Sequence, residues 1–130
     1  MDERLLLDTD VLIDYLRGQP DAVRYLETLD ARLLISAITV AELYSGVRDG
    51  AERTKLAAYI RVFEVVPVDG DIALKGGLYR RDYGKSHQIG LADALIAVSA
   101  ESQQATLVTL NKKHFPMLAN VIVPYLKTSS

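Results

Sequence analysis

Cysteine and tryptophan are absent from this 130-residue sequence, which holds only two phenylalanines and four prolines. With no thiol, a disulfide framework, a cysteine nucleophile and a cysteine-ligated zinc site are all excluded, which fits a reducing compartment. Long apolar runs are missing too. The first one, Leu5–Leu7, stops at Asp8, too short for a secretory leader or a membrane span. Every other apolar stretch is broken within a few residues by charge or glycine, so a cytoplasmic protein away from membranes is expected. Charge of one sign is equally scarce: 15 basic against 17 acidic residues leave a formal net charge of −2. Nothing therefore draws the whole molecule toward nucleic acid, and phosphate binding must come from local basic patches or bound metal.

What is present suits one soluble domain. The chain is 49% hydrophobic and 25% charged, near the globular average, and its length suffices for a sizeable core. Short apolar runs at Arg4–Leu7, Leu33–Ser36, Glu64–Val68, Thr106–Thr109 and Val121–Val123 read as strands, Pro67 marking a strand end or edge. Between them lie helical patterns. One carries Val11, Leu12, Ile13, Tyr15 and Leu16, with Thr9 or Asp10 as its cap and Gly18 as its stop. A second restarts at Gln19-Pro20-Asp21, and a third, capped by Ser36, carries Val40, Leu43, Tyr44 and Val47. Further helices are expected over Glu52–Phe63, Asp69–Lys85 and the alanine-rich Leu91–Ala100, with Gly84–Gly90 as a glycine-bounded polar loop. Residues 1–126 then form one three-layer α/β/α domain around a mostly parallel sheet of four to five strands, and Lys127–Ser130 a flexible tail.

Four of the apolar runs end at, or lead into, a carboxylate or its amide: Asp8, Glu42, Asp93 and Asn111. Carboxylates are costly against apolar segments unless something positive compensates them. Parallel sheets bind ligands beyond the carboxyl ends of their strands, an end that all four residues can reach. Hard oxygen ligands there point to Mg²⁺ or Mn²⁺, which can activate a water and polarise a phosphodiester.

Here four segments carry a specific resemblance. Leu5-Leu6-Leu7-Asp8-Thr9-Asp10-Val11-Leu12-Ile13 resembles the opening of PIN-domain ribonucleases. Ile38-Thr39-Val40-Ala41-Glu42-Leu43-Tyr44-Ser45-Gly46 resembles their second motif, Gly90-Leu91-Ala92-Asp93-Ala94-Leu95-Ile96-Ala97 their third, and Thr109-Leu110-Asn111-Lys112-Lys113-His114-Phe115 their fourth. The segments stand in order, span nearly the whole chain, and are most similar to VapC-type toxins of prokaryotic toxin–antitoxin pairs. The resemblance implies an endoribonuclease dependent on Mg²⁺ or Mn²⁺ that cleaves structured RNA such as tRNA. It also implies a homodimer and inhibition by a cognate VapB-type antitoxin, whose arm enters the pocket.

Asp8, Asp93 and Glu42 are then the expected metal-binding residues, with Asn111 completing the catalytic set. Many relatives carry Asp at the last position, so Asn111 removes a charge there. Asp10 reads first as a cap and second as a ligand. Substrate contacts are expected from Thr109, Arg80, Arg81, Lys85, His87 and Lys112, with Lys113 and His114 beside them. Two alternatives stand: a catalytically weak module that only binds RNA or protein, and a receiver-like signalling domain with Asp69 as phosphoacceptor and Lys112 as its lysine.

Overall fold

A computed structural model describes residues 3–126; the tail expected at Lys127–Ser130 lies outside them. Five strands form the sheet: β1 (Arg4–Leu7), β2 (Arg32–Ser36), β3 (Glu64–Val66), β4 (Thr106–Val108) and β5 (Val121–Ile122). The six helices are α1 (Thr9–Leu16), α2 (Pro20–Glu27), α3 (Ala37–Ser45), α4 (Ala51–Ile60), α5 (Gly70–His87) and α6 (Leu91–Ser102). The order across the sheet is β3-β2-β1-β4-β5, and every pairing is parallel. The expected three-layer α/β architecture is observed.

The leucines at the start of the chain explain why β1 is central. Leu5, Leu6 and Leu7 are almost fully buried, and successive side chains of a strand point to opposite faces. Leu6 joins Leu34, Ile96, Leu107 and Phe115 on one face, under α5 and α6. Leu5 and Leu7 join Val11, Leu12, Leu43 and Leu56 on the other, under α1 and α4. A strand apolar on both faces is stable only between two helical layers.

Several boundaries move from their sequence expectations, each for a physical reason. β3 ends at Val66 because Pro67 has no N–H to donate to the ladder. α4 stops at Ile60, leaving Phe63 buried in the following turn. Asp69 lies outside α5 and caps it, its carboxylate accepting the Ile72 N–H at 2.9 Å.

The largest correction concerns the loop expected at Gly84–Gly90, of which Gly84–His87 are helical. Two side-chain arrangements carry α5 onward. Tyr79, Tyr83 and His87, spaced one turn apart, meet edge to face at 6.1 and 6.0 Å. The Arg80 guanidinium lies over Gly84, where a Cβ would fall 1.8 Å from its nitrogen. The helix ends only at Gln88, which takes the left-handed conformation at φ 53°.

Where α5 and α6 meet, Gly76 has no room for a side chain: a Cβ would lie 2.4 Å from Leu95 Cδ2. Gly77, one residue on, faces open space. In chemical denaturation, Gly76→Ala is expected to lower stability by roughly 1–3 kcal/mol through overpacking. Gly77→Ala should raise it by about 0.5–1 kcal/mol through helix propensity.

Candidate metal-binding nuclease site

The chain steps outward from β1 to β2 and β3, then crosses back so that β4 lies on the other side of β1. This reversal opens a crevice at the carboxyl ends of β1 and β4. Asp8 is the first residue beyond β1. It is buried to 6% exposure and is itself the N-cap of α1, in place of Thr9 or Asp10. One carboxylate oxygen accepts the Thr9 N–H at 2.8 Å and the other the Thr109 hydroxyl at 2.7 Å.

Three further acids surround it. Asp93 lies half-buried in the first turn of α6, with its Oδ2 3.5 Å from His114 Nδ1. Glu42, on α3, reaches back to α1, where its Oε1 accepts the Thr9 hydroxyl at 2.6 Å. Asp10 Oδ2 accepts the Leu110 N–H at 3.1 Å, tying the loop after β4 to α1. Its other oxygen, Oδ1, is buried with no hydrogen-bond partner.

The electrostatics are those of a pocket short of positive charge. Burial pushes the Asp8 carboxyl up to about 7, aided by the charges of Asp10 and Asp93 and opposed by the Thr109 and Thr9 hydrogen bonds. Burial likewise raises Asp10. Asp93 is raised by burial and by Glu42, against the opposing pull of His114. Among the described residues no lysine or arginine forms an ion pair with any of these four acids.

The donor set fits a hard divalent cation. It offers carboxylate oxygens only, one of them orphaned, and their mutual repulsion is what a bound cation would relieve. No three Asp, Glu or His side chains among the described residues are grouped tightly enough to enclose an ion.

Other candidates fall on both sides of this pocket. Asn111 is at its rim, its Nδ2 3.4 Å from Asp10 Oδ2, a contact in which an aspartate would repel. Thr109, expected to meet substrate, is fully buried; its hydroxyl is committed to Asp8 and accepts the Asn111 N–H at 3.1 Å. The structure makes it a support for Asp8. Arg80, Arg81, Lys85 and His87 are exposed on α5, where Arg81 pairs with Asp82 and His87 with Ser86. Lys112 and Lys113 are exposed in the 3₁₀ turn Lys112–His114. None of these six side chains bonds to the acidic group. Asp69, as the cap of α5, is committed to backbone and does not serve the receiver-like alternative.

Some site residues escape a sequence reading. Thr39 is fully buried, 3.0 Å from Thr9. Its only advance signal is its helical spacing, three residues before Glu42, which places both on one face. Asp14 is buried and accepts the Tyr125 hydroxyl at 2.9 Å, holding the segment after β5 against α1. Nothing local in the sequence marks that pair. Beside the site, a groove of about 630 Å³ runs between α1, α3 and α4 and shares Glu42 with it; its walls include Ile13, Leu16 and Val47, with Arg17 and Lys55 among its charged groups.

The PIN-domain family model matches residues 5–120. Ribonuclease VapC10 of Mycobacterium tuberculosis is 41% identical over 124 residues, covering 93% of this chain and 92% of its own. The chain is a PIN-domain protein of the VapC family. Ribonuclease VapC1 of Methanocaldococcus jannaschii is 34% identical, with 90% of this chain and 82% of the relative covered. Among solved structures, a toxin–antitoxin complex from Klebsiella pneumoniae superposes with a TM-score of 0.82 at 28% identity, covering 95% of this chain and 99% of the other. VapBC2 of Rickettsia felis, bound to a DNA fragment from its promoter, gives 0.73 at 29% identity, covering 91% and 95%. The four sequence segments quoted above thus lie within a PIN domain, where the fold brings Asp8, Glu42 and Asp93 together and sets Asn111 at the rim.

The raised Asp8 carboxyl gives a signed pH dependence. Between about 4 and 7 the unfolded chain has released this proton while the folded one retains it, so stability falls as pH rises. In EDTA, unfolding free energy is expected to drop by on the order of a few kcal/mol from pH 4 to pH 7.5. Asp8→Asn should flatten that slope, and added Mg²⁺ should recover stability at the upper end. Thermal denaturation across the pH series measures all three.

Proposed function

We propose that this protein is the endoribonuclease toxin of a VapB–VapC pair, dependent on Mg²⁺ or Mn²⁺ and acting in the cytoplasm on structured RNA such as tRNA. The observation that carries the reading is the convergence of Asp8, Glu42 and Asp93 at the sheet's switch point, with no lysine or arginine among the described residues paired to them. The VapC ribonucleases that the chain resembles support the choice of RNA. No helix among the described residues is long and apolar enough to cross a membrane.

Asp8 and Asp93 would hold the ion directly, and Glu42 would hold it or orient its water. When bound, the ion supplies Lewis-acid polarisation of the phosphodiester and lowers the pKa of a nearby water. The protein's own part is to fix these carboxylates: Thr109 and the Thr9 N–H hold Asp8, the Thr9 hydroxyl holds Glu42, and His114 lies beside Asp93. Asn111 closes the rim through Asp10. With an amide in that place, the pocket carries less negative charge, and a second metal ion would bind more weakly than in an all-acid relative. Arg80, Lys85, His87 and Lys112 are exposed and available to RNA phosphates.

The structural relatives include toxin–antitoxin complexes. We assign the groove that shares Glu42 to the antitoxin arm, since an occupant there would lie against Glu42 at the edge of the acidic pocket. A second copy of the chain would cover the first half of α5, where Leu74 and Leu78, one turn apart, are 61% and 41% exposed, and leave the end of that helix open.

The purified protein is expected to cleave RNA in Mg²⁺ or Mn²⁺ and to lose that activity in EDTA. Asp8→Asn and Asp93→Asn should each reduce cleavage by at least about a hundredfold. Cleavage undiminished by either substitution and by EDTA would overturn the assignment. In analytical ultracentrifugation the wild type should sediment as a dimer and Leu74→Glu/Leu78→Glu as a monomer.

A further inference from the structure

Glu42 differs from the other acids of the pocket in being exposed. A glutamate on an exposed helix face ordinarily samples several rotamers, and fixing one costs conformational entropy. Here its Oε1 is held by a hydroxyl of another helix. Thr9 Oγ1 lies 2.6 Å from Glu42 Oε1 and 3.0 Å from Thr39 Oγ1. Thr9 is 8% exposed and Thr39 not at all, so both hydroxyls depend on protein partners.

The chemistry fixes the direction of this chain. A hydroxyl owns one proton, and an ionised carboxylate can only accept. Thr9 must therefore give its proton to Glu42 and accept the proton of Thr39. The charged acceptor strengthens the Thr9 bond, and donation from Thr39 polarises it further. Both threonines are β-branched, with stiff side chains that hold this geometry cheaply. No described residue donates to Glu42 Oε2, which stays open for a ligand.

We propose that Thr9 is the positioning residue for Glu42, acting through a directed hydroxyl chain Thr39→Thr9→Glu42 that joins α1 to α3. Backbone and side chain of Thr9 then do separate work: its N–H holds Asp8 and its hydroxyl holds Glu42. One residue sets the separation of two pocket carboxylates. The functional consequence rests on reading Glu42 as part of the nuclease pocket; the positioning itself does not.

The test pairs a metal-free readout with a metal-binding one. Side-chain NMR couplings of Glu42 in EDTA should report one dominant rotamer in wild type, averaging in Thr9→Val and a return toward one rotamer in Thr9→Ser. Mn²⁺ titrations without RNA should show binding weakened about tenfold or more by Thr9→Val, and largely restored by Thr9→Ser. Glu42→Gln should lose a similar amount, and the double variant Thr9→Val/Glu42→Gln little more than either single one. Thr39→Val, which keeps Thr9 but removes its donor, should average Glu42 partially, and it carries the test if Thr9→Val does not fold. Glu42 couplings unchanged from wild type in the folded Thr9 or Thr39 valine variant would overturn the proposal, as would additive losses in the double variant. Rotamer averaging in a protein that binds no Mn²⁺ would uphold the positioning while removing the metal-dependent reading above.

Discussion

The Thr109 hydroxyl donates to Asp8 across the carboxyl ends of β1 and β4, the paired strands that bound the crevice. Asp8 is pulled into a nearly dry position by the leucines of β1, and its charge would be prohibitive there without donors. Thr109, at the end of β4, and the Thr9 N–H, at the start of α1, supply two. The same carboxylate therefore closes the sheet, starts a helix and presents oxygen to the crevice. Asp10 repeats the device two residues on by binding Leu110, so α1 is fastened twice to the loop after β4.

Around that contact the pocket is a compromise between repulsion and support. Each acid has its own neighbour: Thr109 for Asp8, Thr9 for Glu42, the Leu110 N–H for Asp10 and His114 for Asp93. Three of these neighbours are neutral donors, which orient a carboxylate without cancelling its charge. A lysine or arginine in their place would give a quiet ion pair and a pocket with no demand for a cation. Burial and unrelieved repulsion are what a cation bound there would relieve.

Much of this was legible in the residues. The parallel sheet follows from apolar runs without alternation, and the helical order from their three- and four-residue periodicity. Asp8, Glu42 and Asp93 stood out because each interrupts or borders such a run. What the sequence hid was mostly cooperative. Gly84–His87 are helical with Arg80 lying over the glycine, a contact that no local propensity reveals. Thr109 reads as a substrate contact; its burial commits its hydroxyl to Asp8, about a hundred residues away in sequence. The cap of α1 fell to Asp8 because strand and helix meet with no linker, so a single residue serves as the end of one and the cap of the other.

The distance in sequence between Asp8 and Thr109 also bears on when the protein can act. Contacts with long loops between their ends form late, because closure entropy is met before the contact repays it. During synthesis Asp8, Thr9 and Glu42 emerge early, but β4 and Thr109 come only in the last part of the chain. Domains fold as units as translation finishes, so a truncated product lacks the strand that completes the crevice. A chain that ends before β4 therefore has no assembled pocket, whatever part of the acidic set it already carries.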